Sequence, residues 1–310
     1  AAAVAAVVAP IAISIAVVVG IVIGIVVSTL LWTPLSNPLM PLFLVNLLLF
    51  CGIGLYDDYR KVAHNDRDGI SERMKLSLQI LIACAATYAI SVMPGIGDYS
   101  QDLMVPFYKE PVMKLPLWGV MIFSSLVLVG SSNAVNFTDG LDGLATGCMI
   151  ICTSTFIIFA YLSGHYKFAQ YLNIPFIKGA GEVCVFAAAI VGACVGFLWH
   201  NCHPASMFMG DTGSMALGGS IGLIAVLVKQ EFTLVIVGGV FVWETLSVIL
   251  QTGFFKYTRK KYGTGKRLFL RAPIHHHYEL KGWAETQVVV RFWIIALLLA
   301  GIGLATLKIR

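Results

Sequence analysis

The chain has 310 residues, of which 58% are hydrophobic and only 12% are charged, and its mean hydropathy is +0.85. Soluble domains carry about a quarter charged residues, and no soluble core of this size absorbs so much apolar sequence. The composition therefore excludes a soluble protein and predicts an integral membrane protein that crosses the bilayer several times. The seven cysteines indicate no disulfide framework, because most of them lie in apolar runs.

Apolar runs that approach the ~20 residues needed to cross a bilayer follow one another along the chain. Residues 1–32 are longer than one span needs and short for two, and we interpret them as two shortened helices joined near Ile15 and Ala16. The remaining runs are 39–56, 76–93, 115–135, 144–162, 183–199, 214–228, 232–255 and 288–307. The predicted fold class is thus an all-α polytopic integral membrane protein of about ten transmembrane helices, in a single domain over residues 1–310.

Lysine and arginine predict the orientation of these helices. Fourteen of the 21 basic residues fall on the side that carries four loops. These loops are 57–75, 133–143, 200–213 and 256–287, and the count extends the last one to Arg291 at the start of the final helix. Positive loops stay in the cytoplasm, so this side is predicted to be cytoplasmic, and ten crossings then place both termini outside. Every acid-rich motif lies in the same four loops, which predicts an active site on the cytoplasmic face.

The first loop begins with the adjacent acids Asp57 and Asp58 at the end of a helix. Neighbouring carboxylates repel each other unless a cation is near, and Mg²⁺ takes carboxylate oxygens that it commonly shares with phosphates. Lys61 and Lys75 are candidate partners for a phosphate. The alternative is a helix end with a solvated aspartate pair.

The second loop, 136–143, holds two carboxylates and two glycines between two long apolar runs. Asp139 and Asp142 are three residues apart, so a helical turn would place both on one face. Asn136 and the backbone around Gly140 offer hydrogen bonds to a base or sugar. Acids held near lipid usually mark a site, although aspartate and glycine are also ordinary turn residues.

In the third loop, Asp211 stands at the expected start of a helix, with Thr212 and Ser214 able to cap it. A helix N-terminus favours anions, so Asp211 is either a cap or a metal ligand. Phe208 is either a stacking face for a planar base or an interfacial anchor.

The fourth loop is basic between residues 256 and 271, which indicates contact with anionic membrane lipid. It ends in His275, His276 and His277, whose side chains should diverge and therefore not share one metal. Imidazoles near phosphates would act as hydrogen-bond donors with a pKa near neutrality.

Together the four loops contain the parts of a metal-assisted phosphoryl-transfer site on one membrane face. A transporter or lipid flippase is the rival from another class, because spans with acids can also couple ions to movement. That reading needs ionisable residues in mid-membrane, and Glu244 is the clearest one well inside a predicted span.

The motifs resemble those of the phospho-N-acetylmuramoyl-pentapeptide translocase family, in the polyprenyl-phosphate N-acetylhexosamine-1-phosphate transferase superfamily. The resemblance runs from about Pro34 to the C-terminus. The matching stretches are 57–61 (DDYRK), 133–143 (NAVNFTDGLDG), 208–214 (FMGDTGS) and 272–279 (APIHHHYE). The histidine motif, followed by residues 280–283, separates this branch from relatives that transfer other sugars.

The resemblance implies transfer of phospho-N-acetylmuramoyl-pentapeptide from UDP-N-acetylmuramoyl-pentapeptide to undecaprenyl phosphate, giving lipid I and UMP with Mg²⁺. It implies a catalytic set of Asp57, Asp58, Asp211 and His275, with Asp211 on Mg²⁺ and Asp57 and Asp58 around the lipid phosphate. The uridine pocket it implies comprises Asn136, Asp139, Gly140, Leu141, Asp142, Asn201 and Phe208. The residues it implies on phosphate or sugar are Lys61, Lys75, Gln251, His275 and His276.

The family's first cytoplasmic loop, Gly-Thr-Pro-Thr-Met-Gly-Gly with a nearby lysine, has no counterpart in residues 1–32. The resemblance places the protein in the bacterial cytoplasmic (inner) membrane, with no nucleic-acid partner, and a homodimer is left open. Direct attack by the lipid phosphate is favoured over an aspartyl intermediate, because a phosphate monoester with a second pKa of about 6 needs little help from a base. A sister transferase that uses another UDP-sugar is the closer rival.

Overall fold

A computed structural model describes residues 2–63, 69–108 and 110–309, with side chains from residue 14 onward. The described chain is a bundle of α-helices with one two-stranded sheet, which confirms the all-α prediction. The helices are α1 Ala2–Trp32, α2 Leu39–Ala63, α3 Glu72–Ser91, α4 Gly97–Ser100, α5 Leu117–Thr138, α6 Leu144–Gly164, α7 Tyr166–Leu172, α8 Ala180–Asn201, α9 Gly210–Leu227, α10 Glu231–Val237, α11 Gly239–Tyr262, α12 Ile274–Leu280 and α13 Glu285–Ala305. Arg67, Lys109 and Arg310, which entered the charge count, lie outside the described residues.

Eight of these helices are long and apolar enough to cross a membrane: α1 from Ser14 onward, α2, α3, α5, α6, α8, α9 and α13. The short α10 and the following α11 form a ninth candidate if they are one span, bent by 85°. The described residues therefore give eight or nine candidates where the sequence predicted about ten. The placement of both termini outside depended on that even count and stays a prediction.

The difference arises at the beginning of the chain. The structure has one continuous helix over Ala2–Trp32, so the expectation of two helices joined near Ile15 and Ala16 is wrong. No glycine, proline or charged residue occurs at that point, and an uninterrupted Ala, Val and Ile sequence has nothing to end a helix. At about 1.5 Å per residue, 31 residues extend well beyond the hydrocarbon core.

The helix α9 lies at the centre of the bundle, and its membrane-spanning window is 89% buried. Of its neighbours, α2 and α5 make the most extensive contacts with it. Small residues allow this approach: a Cβ on Gly218 would lie 2.6 Å from the Cα of Ser132 in α5, and a Cβ on Gly54 of α2 would lie 2.2 Å from the backbone oxygen of Asp211. Close packing therefore brings the ends of α2 and α5 to the N-terminus of α9.

At the opposite end of the bundle, Lys229 and Glu231 form a buried ion pair where α9 passes into α10. Lys229 Nζ lies 2.7 Å from Glu231 Oε1 and donates to the backbone oxygen of Ser100 at 3.3 Å. The same end carries β1 Asp102–Leu103 and β2 Met113–Lys114, an antiparallel pair. Strands of two residues are too short to give a periodic signal, so the sequence did not predict them.

Candidate active site

Asp57 ends the apolar part of α2 and is buried, with only 2% of its side chain exposed. Its Oδ1 accepts a hydrogen bond from the backbone N–H of Ile70 at 2.8 Å. Its Oδ2 lies 2.6 Å from Lys61 Nζ, one turn later in the same helix. A buried carboxylate is stable only when it is paired and hydrogen-bonded, and both conditions hold here.

Lys75, in α3, contacts the carboxylates of both Asp57 and Asp211. Its ammonium group lies 2.5 Å from Asp211 Oδ2 and 3.4 Å from Asp57 Oδ2. Lys61 Nζ also lies 3.3 Å from Asp211 Oδ2. Two lysines from two helices therefore neutralise carboxylates that come from residues far apart in the chain.

Asp58 performs a different task in this structure, because it caps α9 from outside that helix. Its Oδ2 accepts hydrogen bonds from the backbone N–H of Thr212 at 2.9 Å and from the Thr212 hydroxyl at 2.6 Å. The residue at the N-cap position of α9, Met209, makes no side-chain cap. Asp58 thus satisfies amides that would otherwise lack partners at the start of a helix, and it fixes α2 against α9.

Asp211 is the second residue of α9 and does not cap it. Asn136, near the end of α5, donates from its amide to Asp211 Oδ1 at 2.7 Å and to Ser214 Oγ at 2.9 Å. Ser214 donates in turn to the backbone oxygen of Gly210 at 2.8 Å. The Asp211 carboxylate is therefore held on one side by Asn136 and on the other by the two lysines.

The donor atoms of this cluster suit a hard divalent cation. Asp57, Asp58 and Asp211 each offer one carboxylate oxygen, and the three atoms lie within 4.8 Å of one another. Mg²⁺ binds oxygen ligands and is often held by one or two carboxylates together with phosphate. Because Asp58 is engaged by the amides of α9, Asp57 and Asp211 are the better ligands. The prediction that Asp211 binds a metal is compatible with this geometry.

The loop between α5 and α6 lies beside the cluster. The backbone N–H of Gly210 donates to the carboxyl group of Asp139. Burial, together with the negative charges of Asp211, Asp58 and Asp142, raises the pKa of Asp139 to about 7, and the Gly210 hydrogen bond only partly opposes this shift. Asp139 therefore changes its protonation state near neutral pH.

Asp142 lies in a second group of potential metal ligands. Its Oδ2 accepts from the backbone N–H of Ala205 at 2.9 Å and lies 3.2 Å from His203 Nδ1. His203 Nδ1 is also 3.3 Å from Glu285 Oε2, and the backbone N–H of Asp142 donates to Glu285 Oε1 at 3.0 Å. Three loops are fastened together here, and neither His203 nor Glu285 was among the predicted site residues.

The three consecutive histidines have three different hydrogen-bond partners. His275 Nδ1 lies 3.1 Å from Glu244 Oε2, and both side chains are completely buried. His276 Nδ1 lies 2.7 Å from Glu279 Oε2, whereas His277 Nδ1 accepts from the backbone N–H of Leu270. With no exposed surface, His275 cannot touch a phosphate or a sugar in this conformation.

Two more of the predicted substrate-binding residues hold loops in the described structure. Asn201 donates to the backbone oxygen of Met207 at 2.9 Å and accepts from the Thr146 hydroxyl at 2.7 Å. Gln251 accepts at 2.9 Å from the backbone N–H groups of both Leu268 and Phe269, so it anchors the basic loop.

Exposure separates the remaining predicted pocket residues. Phe208 has 56% of its surface exposed, whereas Leu141 is buried. Gly140 is exposed on the surface of the loop. The exposed phenyl ring and the exposed loop backbone are the parts that a planar base could reach.

The structure thus gathers six predicted site residues into one network at one end of the bundle: Asp57, Asp58, Lys61, Lys75, Asn136 and Asp211. Sequence reasoning overlooked Glu244 as a partner of His275 and regarded Thr212 only as a helix cap. The only sequence signal for Glu244 was a lone acid inside an apolar run.

Comparison of the sequence with known proteins shows the family of this chain. The model of glycosyl transferase family 4 matches residues 40–229. The phospho-N-acetylmuramoyl-pentapeptide-transferase of Neisseria meningitidis serogroup C (strain 053442) is 51% identical over 275 residues, which cover 89% of this chain and 74% of the relative. Proteins of the same name from Desulfotalea psychrophila and Syntrophus aciditrophicus are 50% and 49% identical, over 89% and 83% of this chain and 74% and 69% of the relatives. The chain therefore belongs to glycosyl transferase family 4 and, within it, to the phospho-N-acetylmuramoyl-pentapeptide-transferases.

Proposed function

We propose that the enzyme transfers phospho-N-acetylmuramoyl-pentapeptide from its UDP-linked donor to undecaprenyl phosphate, giving lipid I and UMP. The observation that carries this proposal is the network of three carboxylates and two lysines at the N-terminus of α9. Phosphoryl transfer requires little covalent help from a protein, and it depends on positioning and on stabilisation of negative charge. A site of paired acids and ammonium groups supplies both.

In the reaction, an oxygen of the lipid phosphate attacks the phosphorus that carries the sugar. A new phosphorus–oxygen bond forms, the bond to the bridging oxygen of the UDP group breaks, and UMP leaves with that electron pair. The attacking phosphate is largely dianionic at pH 7, since its second pKa is about 6, so no side chain has to remove a proton. The protein has to bring anions together and hold them in line.

Each residue of the network has a part in this scheme. Asp57 and Asp211 would hold Mg²⁺, which neutralises phosphate oxygens when it is bound. Lys61 and Lys75, both within 3.5 Å of these carboxylates, can turn toward phosphates that enter the site. Asp58 keeps the two helices in register, and Asn136 orients Asp211 through a 2.7 Å hydrogen bond.

An apolar cavity of about 300 Å³ supports the proposal of a lipid acceptor. It lies between α5 and the bent pair α10 and α11, and α5 is the helix that carries Asn136. Residues lining it include Phe123, Val127, Ala134, Leu234, Phe241 and Leu246. A polyprenyl chain is purely apolar, so it can move from the bilayer onto such a surface without losing favourable solvation. Its phosphate would then lie toward the carboxylate end of α5.

The positive loops support a bacterial cytoplasmic membrane location with the carboxylate network facing the cytoplasm. The UDP-linked donor is a highly charged, water-soluble molecule, so it would reach the site from that compartment without crossing the bilayer. The three carboxylates and two lysines of the network lie together at one end of the bundle, which argues against transport, because transport needs ionisable groups along a path through the membrane.

The test is UMP release from UDP-N-acetylmuramoyl-pentapeptide in detergent, with and without undecaprenyl phosphate and Mg²⁺. Wild type should require both, and Asp211→Asn should be inactive. Asp98→Asn is the matched control, since this exposed acid lies at the other end of the bundle. UMP release without the lipid, accompanied by a glycosyl-phosphoryl adduct on the protein, would replace direct attack by an aspartyl intermediate. If no UMP is released under any of these conditions, the proposed function is refuted.

A further inference from the structure

Glu244 and His275 form a buried pair of titratable side chains near the site, and the proposed chemistry does not use Glu244. Both side chains have no exposed surface. Glu244 belongs to α11, and His275 belongs to α12, whose histidines begin just after the cis peptide bond at Pro273. Burying a carboxylate is unfavourable unless it gains a specific partner, and the 3.1 Å contact from His275 Nδ1 to Glu244 Oε2 provides that partner.

One polar atom of each side chain is left over. Among the described residues, neither Glu244 Oε1 nor His275 Nε2 has a hydrogen-bond partner. Unsatisfied buried polar atoms are uncommon in folded proteins and call for an explanation. The contact at Nδ1 fixes the ring orientation and determines where Nε2 points, as a carboxylate does for other functional histidines.

His275 Nε2 points at the loop between α5 and α6. A Cβ placed on Gly140 would lie 2.4 Å from His275 Nε2 and 2.7 Å from its Cε1. The imidazole therefore lies directly beneath the backbone of Gly140, whose outer surface is exposed. Only a residue without a side chain allows this approach.

We propose that Glu244 is a positioning residue that, through His275, supports the backbone around Gly140 and thereby shapes the surface that binds the nucleotide of the donor. The inference rests on the proposed function and on the uridine pocket that the family resemblance implies, which includes Gly140. The chain of contacts runs from Glu244 in α11 through His275 in α12 to Gly140, and so it joins the helix that lines the lipid cavity to the loop that meets the nucleotide.

Burial makes direct contact between His275 and the donor impossible without displacement of this loop. Support from beneath is the action that the geometry allows. Gly140 precedes Asp142, which is fastened to His203 and Glu285 on the outer side. The loop is therefore held from below by the buried pair and from the side by the exposed group.

The test compares Glu244→Gln with Glu231→Gln, using UMP and Mg²⁺ as the binding probe in isothermal titration of the detergent-solubilised enzyme. Glu231 is the matched control for UMP binding, since it is an equally buried glutamate in an ion pair at the opposite end of the bundle and lines the lipid cavity, away from Gly140. The dissociation constant for UMP should rise about three- to tenfold in Glu244→Gln, which corresponds to the loss of one oriented hydrogen bond. It should stay within about twofold of wild type in Glu231→Gln, even if both variants unfold at lower temperature.

Gly140→Ala provides a second route, because the added methyl group would push His275 away without touching Glu244. It should weaken UMP binding to a similar extent, and the double variant with Glu244→Gln should be less than additive, since both changes disturb one contact chain. The KM for undecaprenyl phosphate should change little in either variant.

Unchanged UMP affinity in either Glu244→Gln or Gly140→Ala would overturn the inference, as would an equal loss in Glu231→Gln. If Glu244→Gln does not fold, Gly140→Ala decides alone. Failure of wild type to bind UMP would instead refute the proposed function. The two failures are therefore distinguishable.

Discussion

The packing of α2 against α9 gives a prediction in which two neighbouring glycines should behave in opposite ways. A Cβ on Gly54 would lie 2.2 Å from the backbone oxygen of Asp211 and 2.6 Å from the Cα of Thr212. Normal contacts between such atoms are about 3.5–4.0 Å, so Gly54→Ala forces the helices apart by about 1 Å. Gly52, half a turn earlier, is exposed and has nothing within 4 Å of an added Cβ.

Overpacking costs about 1–3 kcal/mol, and alanine in a helix recovers about 0.5–1 kcal/mol relative to glycine. The obstructing atoms at Gly54 are backbone and cannot rotate away, so we expect Gly54→Ala to lose about 2 kcal/mol in free energy of unfolding. Gly52→Ala should be neutral or gain up to about 1 kcal/mol. A displacement of about 1 Å at Asp57 and Asp58 should also lower the rate of UMP release about a hundredfold, whereas Gly52→Ala should leave it unchanged.

Thermal unfolding can be followed with a thiol-reactive dye, because four of the seven cysteines are buried. The unfolding midpoint of each variant is compared with wild type in the same detergent, and UMP release is measured on the same samples. Equal midpoints and equal rates for the two variants would refute the reasoning. That result would mean that α2 and α9 can separate without cost and that their contact does not set the geometry of the carboxylates.

Three further predictions concern charge in the site. Lys75→Met should lower kcat about 10²–10³-fold, because loss of one charge-stabilising group typically has this effect. Kinetics with saturating donor measure this change in kcat, and a change in KM alone would contradict the role of Lys75. Removal of divalent cations with a chelator should stop UMP release and added Mg²⁺ should restore it, whereas Asp211→Asn should not recover. The pKa of Asp139, about 7 in place of 3.8, means that the folded state binds this proton more tightly than the unfolded state. Stability in chelator should therefore fall as pH rises from about 4 to 7, and Asp139→Asn should flatten that slope in unfolding midpoints measured across this pH range.

Much of the site could be predicted from local sequence. Asp57, Asp58, Asn136 and Asp211 each follow or precede a long apolar run, and alternation of helices across a bilayer places these junctions on one side. The structure confirms that they meet. Carboxylates beside lysines at one membrane face already indicated chemistry on anions, before any contact was known.

The partners of these residues could not be predicted in the same way. Asp58 caps a helix that begins more than 150 residues later, and no periodic pattern reports such a contact. Glu244 lies in an apolar run and meets a histidine 31 positions away. Sequence patterns describe which face of a helix is apolar, but the pairing of two particular polar atoms depends on how the helices pack.

The number of helices could not be predicted from the sequence for a related reason. Length and hydropathy set an upper limit on how many spans a segment can form, but they do not locate a turn where no turn residue exists. This applies to α1, which is one helix where two were predicted. It also applies to α10 and α11, which are bent by 85° where one span was predicted. The roles that the resemblance implies for Asn201 and Gln251 stay predictions, since their side chains hold loops in the described structure.

The distance along the chain between Asp58 and its partner in α9 has a consequence for biosynthesis. At about 5–20 residues per second, translation delivers α9 roughly 8–30 seconds after α2 has left the ribosome. During that interval the nascent α2 already contains two acids at the membrane surface, and Lys61 lies one turn beyond Asp57 in the same helix. Lys61 can therefore pair with Asp57 inside α2 before α9 has been made, and the completed structure adds Asp211 to this pairing.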